Sequence, residues 1–171
     1  MRISFFTEEV MTEEQRLQTA EKVVEKLIEK RWTVSFAESC TGGMACARLV
    51  DVANASKVLN ASFITYANEA KQSLLGVSAE TLKTYGAVSE ETAREMALGI
   101  SRANNAQVGV AVSGIAGPGG GTEEKPVGTV CFGFAINGTI VTETKRFEAT
   151  GRQNVRRSAV DFVFETLNSL L

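Results

Sequence analysis

Histidine is absent from this 171-residue chain, and that absence alone removes whole mechanisms. Neither a Ser-His-Asp nor a Cys-His hydrolase can be assembled from it, and no histidine-ligated metal site can form. If the chain is catalytic, its base is a Lys, Glu, Asp, Tyr or a neighbouring group. Cysteine is scarce. Cys40, Cys46 and Cys131 are an odd set without any CxxC spacing, which gives neither a disulfide framework nor a zinc knuckle. They read as small packing residues and suit a reducing cytoplasm. There is no basic excess, with 18 Lys and Arg against 20 Asp and Glu, so broad non-specific nucleic-acid binding is not expected. No apolar run approaches a membrane span, so no membrane partner is expected either.

What is present is an ordinary globular composition. Apolar residues are 44% and charged residues 22%, which excludes a disordered or fibrous chain. The length suits one domain able to bury its own core. Residues 1–11 carry a short apolar patch and then turn acidic with no small-residue cleavage site, a poor secretory signal. They read as an extension or an added edge strand, with the domain proper over 12–171.

Thr12-Glu13-Glu14-Gln15 is a capping box opening a helix over 12–30. A short strand over 33–37 leads into Glu38-Ser39-Cys40-Thr41-Gly42-Gly43 and a small-residue helix to about Val52. Residues 62–66 (SFITY) read as a second strand, followed by helices over 68–75, 78–84 and 89–103. A buried strand spans 108–112. A loop over 114–126 follows, with Gly at five of its first eight positions and both prolines of the chain. Asn137-Gly138 predicts a hairpin between strands 129–136 and 139–147. Thr150-Gly151-Arg152-Gln153 reads as a second capping box opening the last helix. Early alternation of strands and helices, then an antiparallel pair, predicts a single α/β domain: a three-layer α/β/α sandwich on a mixed sheet.

Segment 38–43 sits after a strand and opens a helix, where open α/β sheets bind ligands. Two readings of Ser39 stand together: an exposed nucleophile on a tight turn, and an N-cap, a role Thr41 could also fill. A serine nucleophile needs a base, and without histidine lysine is the natural choice, provided burial lowers its pKa. Lys71, at the start of a short helix, is the candidate, with Tyr66 close by; the alternative is a solvated Lys71 and a half-buried Tyr66. Lys125 is a rival, but Glu123 and Glu124 beside it would keep it charged. The glycines after Ser113 read either as a backbone phosphate cradle or as a surface loop. Arg152, Arg156 and Arg157 crowd a helix start, where cations are unfavourable. Either a bound anion or a carboxylate from elsewhere in the chain resolves that conflict, or they form a solvated basic face.

Taken in order, AESCTGG (37–43), ITYANEAK (64–71), YGAVSEE (85–91), SGIAGPGGGTEEKPVGTV (113–130) and GRQNVRR (151–157) resemble the CinA C-terminal domain family, the family of nicotinamide mononucleotide deamidases. The resemblance runs from about residue 12 to the end. It implies an amidohydrolase that converts nicotinamide mononucleotide to nicotinate mononucleotide and ammonia in pyridine nucleotide salvage. It implies a homo-oligomer acting on a small-molecule nucleotide, with no metal and no organic cofactor. By the same resemblance Ser39 is the nucleophile, Lys71 its base and Tyr66 a neighbour. Thr41, Gly42, Gly43, Ser113, Gly114 and Gly117 line the ligand pocket. Arg157, and less directly Arg156, meets phosphate or ribose. Backbone N–H groups of 41–43 are the expected oxyanion donors. Hydrolysis through an acyl-enzyme and direct attack by water both remain open. Full-length family members also carry a larger N-terminal domain similar to molybdopterin-binding proteins, whose activity is not implied here. A non-catalytic nucleotide-binding relative that keeps the pocket is the reading from another functional class.

Overall fold

A computed structural model gives the fold and describes residues 10–171. Most of the 1–11 extension therefore lies outside the described residues. The elements run α1 (Glu13–Lys30), β1 (Val34–Glu38), α2 (Met44–Val50), a 3-10 turn (Ala55–Lys57), β2 (Phe63–Ile64), α3 (Asn68–Leu75), α4 (Ala79–Tyr85), α5 (Glu90–Ala103), β3 (Val108–Gly114), β4 (Thr129–Ile136), β5 (Thr139–Arg146) and α6 (Arg152–Leu170). Among the described residues the sheet order is β2-β1-β3-β4-β5. β2, β1 and β3 are parallel, and β4 and β5 return antiparallel through the Asn137-Gly138 turn. Both residues of that turn have positive φ (45° and 90°), as a two-residue hairpin loop requires.

The sheet is covered on both faces, which is the expected three-layer sandwich. On one face α1, α2 and α6 pack over Phe36, Phe132, Phe134 and Phe164. On the other, α5 and α3 pack over a smaller core of Ala37, Ala111, Ala135 and Met96. α5 lies unusually close to the sheet because glycines face it. A Cβ on Gly133 would stand 2.3 Å from the Ala93 carbonyl oxygen. That close approach sets the depth of α3, which packs on α5 and carries Lys71.

The face with α6 is tied by charge as well as packing. Asp161 accepts from Arg16 of α1 at 3.0 Å and from Arg48 of α2 at 2.6 Å, all three side chains being 10–13% exposed. The Asp161 contacts raise the Arg16 pKa further. Removing one partner of a buried ion pair leaves an uncompensated charge. Asp161→Asn is therefore expected to lower unfolding free energy by about 3 kcal/mol. Urea denaturation checks it, and a change under about 0.5 kcal/mol, the usual size for a surface substitution, would show the pair to be a surface ornament.

Three sequence expectations needed correction. The SFITY strand shrinks to Phe63–Ile64. The Ser62 hydroxyl takes the Phe36 N–H in place of a ladder carbonyl, and the Thr65 and Tyr66 carbonyls turn toward Lys71. Helix α2 ends at Val50, short of Val52. The second capping box does not form. The residue before α6 is Gly151 at φ 132°, without a side-chain cap, and Thr150 instead accepts from the Asn154 amide. At that φ the chain enters the helix from a direction that leaves the threonine outside the first turn. The capping box at Thr12 forms as read, with both reciprocal bonds in place.

Candidate active site

Strand alternation decides the site's geometry. Phe36 faces the α1/α6 core and Ala37 the α5 core, so consecutive residues of β1 diverge to opposite faces. Glu38, next in line, sends its carboxylate toward α2, where it accepts from the N–H groups of Gly43 (3.0 Å), Ala45 (3.1 Å) and Cys46 (2.8 Å). Ser39 leaves the sheet on the other side, toward α3. Its N–H still donates to the Val112 carbonyl of β3, which anchors the turn at the carboxyl ends of the two central strands.

There Ser39 meets Lys71. The lysine is 1% exposed, and its Nζ lies 2.7 Å from the Thr65 carbonyl oxygen, 3.2 Å from that of Tyr66 and 3.2 Å from Ser39 Oγ. No carboxylate pairs with it among the described residues. Burial pushes its pKa below the ordinary lysine value. Its place in the first turns of α3 acts in the same direction. Nζ stands in donating reach of all three oxygens, Ser39 Oγ included. As a neutral amine it would keep two N–H groups for the carbonyls and a lone pair for the Ser39 hydroxyl. The solvated reading of Lys71 is thus overturned. Cys40 does not compete as nucleophile, since burial pushes its thiol up to about 12.

The turn itself explains its glycines. Gly42 and Gly43 have φ of 57° and 99°, a region costly for other residues. A Cβ on Gly43 would also stand 3.2 Å from Ile64. Two of the expected oxyanion donors at 41–43 are engaged, Gly42 N–H with the Ser39 carbonyl and Gly43 N–H with Glu38, and Thr41 is wholly buried. The cap reading of Ser39 and Thr41 also fails: the residue before α2 is Gly43, and the carboxylate of Glu38 does the capping. Glu38 was overlooked in the sequence. The signal was an acid at a strand end, followed by Gly-Gly and a helix.

Of the other expected site residues, Tyr66 touches Lys71 through its carbonyl, while its ring is 62% exposed and its hydroxyl accepts from Arg152 at 3.2 Å. Arg152 also holds the Gly117 carbonyl at 2.8 Å, so it joins the β2–α3 loop, the glycine loop and α6. Arg156, one turn along the same helix face, donates to the carbonyls of Cys40 (3.0 Å) and Thr41 (3.1 Å). Arg157 is exposed and makes no hydrogen bond or ion pair among the described residues. Ser113 is buried, and its hydroxyl donates to the Ala87 carbonyl. Gly114 and Gly117 are required by packing, since a Cβ would come within 2.7 Å of Val130 and 2.5 Å of Val127 respectively. Lys125 is bound to the Tyr85 carbonyl. An open cleft of about 470 Å³ lies beside it, between the start of α5 and strands β4 and β5, and includes none of the Ser39–Lys71 group.

Among the described residues no group of three or more Cys, Asp or Glu converges as a metal cluster, and no helix is long and apolar enough to cross a membrane. The family model of the CinA C-terminal domain matches residues 16–171. A "Putative competence-damage inducible protein" of Alkaliphilus metalliredigens (strain QYMF) is 49% identical over 152 residues, covering 88% of this chain but 36% of that protein, so the chain spans about a third of such relatives. A protein of Enterobacter agglomerans named "Nicotinamide-nucleotide amidohydrolase PncC" is 51% identical over 138 residues, covering 80% of this chain and 84% of its own. Among solved structures, the competence/damage inducible protein CihA of Agrobacterium tumefaciens superposes with a TM-score of 0.89 at 40% identity, covering 95% of this chain and 98% of that one. The CinA superfamily protein ECK1530/EC0983 of Escherichia coli does so at 0.90 and 34%, covering 95% and 94%. With five ordered motifs, the same sheet and the match over 16–171, this chain belongs to the CinA C-terminal domain family.

Proposed function

We propose that the chain is an amidohydrolase acting on nicotinamide mononucleotide through a Ser39–Lys71 pair. The observation that carries this reading is a buried lysine, without a carboxylate partner among the described residues, 3.2 Å from a serine hydroxyl at the carboxyl ends of parallel strands. The relative named for nicotinamide-nucleotide amidohydrolysis supplies the substrate class. Neutral Lys71 takes the Ser39 proton as Oγ attacks the carboxamide carbon. The resulting ammonium returns that proton to the leaving nitrogen, and ammonia departs to leave an acyl ester. Lys71 then takes a proton from water, which attacks the ester. Collapse of that intermediate returns the proton to Ser39 Oγ and releases the acid.

The phosphate is assigned to the start of α6. That 19-residue helix has no side-chain cap and no acid in its first turn, and Arg152 connects it to the glycine loop. This favours Arg152 over Arg157, which the resemblance had implied. The test is ammonia release from nicotinamide mononucleotide and from the phosphate-free riboside, with binding measured in parallel. Arg152→Ala is expected to weaken the mononucleotide by about tenfold or more, the size of a lost charge-assisted hydrogen bond, and the riboside much less. Binding of the mononucleotide without ammonia release would favour the non-catalytic reading instead. Equal losses for the two ligands would remove Arg152 from the phosphate.

A further inference from the structure

We propose that Glu38 and Arg156 are positioning residues that hold the Ser39 turn through contacts of opposite polarity and set the Ser39–Lys71 contact. The inference rests on the nucleophile reading above, but not on the identity of the substrate.

Segment 39–43 has no regular secondary structure, yet it carries the reacting hydroxyl. The turn has backbone hydrogen bonds of its own, Ser39 N–H to the Val112 carbonyl and Gly42 N–H to the Ser39 carbonyl, but its two left-handed glycines leave it pliable. Two charged side chains take up further groups of its backbone. Glu38 is 1% exposed and makes no ion pair among the described residues. Both of its oxygens are spent on backbone donors, Oε2 on Gly43 and Ala45 and Oε1 on Cys46. Arg156 takes the other polarity. Its Nε and one terminal nitrogen fork onto the Cys40 and Thr41 carbonyls, and its remaining nitrogen is held by Gln153. The carboxylate thus grips the N–H groups at the far end of the turn, and the guanidinium grips the carbonyls in its middle. The planar fork fixes two consecutive peptide planes at once, which a single ammonium cannot do.

A buried carboxylate with no ion pair among the described residues, spent on three N–H groups beside a nucleophile, points to a role beyond stability. An apolar residue with an ordinary N-cap at the helix start would cap α2 at lower desolvation cost. On this proposal, a turn whose backbone is held at both its N–H groups and its carbonyls keeps Ser39 Oγ at the 3.2 Å approach to Lys71.

The experiment follows labelling of Ser39 by a small alkyl fluorophosphonate, read by intact mass and peptide mapping across a pH series, for wild type, Glu38→Gln and Arg156→Lys. The glutamine keeps the shape but turns an N–H₂ toward donors. The lysine keeps the charge but loses the fork. Thermal melts fix the folded fraction of each. Both variants are expected to label on the order of 100-fold more slowly while folded, the cost of a misplaced reacting group. They are also expected to lose the pH limb that reports Lys71, which a purely structural cap would leave in place. Labelling at the wild-type rate and pH profile in either folded variant overturns the proposal. Should Glu38→Gln fail to fold, Arg156→Lys decides alone. Wild type that is never labelled at Ser39 overturns the nucleophile reading and this proposal together. Labelled wild type that releases no ammonia from nicotinamide mononucleotide removes the substrate assignment and leaves the clamp standing.

Discussion

Ser39→Ala is expected to lower kcat on the order of 10⁶-fold while leaving the melting temperature close to wild type. The two halves of this expectation come from separate observations. The rate loss follows from removing the atom that forms the acyl bond. The unchanged stability follows from what Ser39 does not do. Its hydroxyl caps no helix, because Glu38 already holds the first N–H groups of α2, and its one side-chain partner is Lys71. Loss of a true N-cap would cost about 0.5–2 kcal/mol, a readily measured shift. Ammonia release and differential scanning calorimetry on the same preparation separate the cases. A variant that keeps substantial turnover would end the nucleophilic mechanism, and retained turnover with an earlier melt would return Ser39 to a structural role.

Lys71→Met should abolish turnover to a similar degree, since loss of nucleophile or base alone can cost about as much as loss of the whole set. Its second signature lies in stability. The folded-state pKa of Lys71 is lowered by burial, so in the window between that value and the ordinary 10.5 the unfolded chain holds a proton that the folded chain does not. Stability therefore rises with pH across this window. The lysine's contribution is fully present above the unfolded pKa and is lost as pH falls through the folded one. Methionine has no such dependence. The stability difference between wild type and Lys71→Met should grow in favour of wild type as pH rises toward 10.5. In activity, the acid limb of kcat/KM should have its midpoint below the ordinary lysine value. A difference that stays flat with pH would mean that Lys71 carries an unshifted proton and is no base.

Local signals in the chain were read correctly where neighbours in sequence are also neighbours in space. The Thr12 capping box, the helices closed by Gly76 and Gly86, and the Asn137-Gly138 hairpin all rest on contacts within a few residues. Thr150 failed by the same logic. Its capping pattern is local, but the φ of 132° at Gly151 routes the chain past it.

By itself the sequence determined the chemistry that was possible. Without histidine, lysine was the natural base for a serine nucleophile, and AESCTGG and ITYANEAK supplied one of each at the ends of strand segments. It also determined the elements and the mixed sheet, through periodicity and turn residues. Only the tertiary structure decided which atoms meet. Lys71 is 32 residues from Ser39, and Arg156 is 116 from Cys40. No local pattern carries information over such separations, because the contacts exist only once α3 is seated on α5 and α6 on the opposite face. That seating buried Lys71 without a carboxylate partner among the described residues. It also turned Tyr66's carbonyl rather than its phenol toward the amine, gave Glu38 to the helix and Ser39 to the lysine, and brought Arg152 and Arg156, but not Arg157, over the turn and the glycine loop. The physical reason is strand alternation combined with helical phase. Each residue's face is set by its own sequence position, whereas its partner on that face is set by packing.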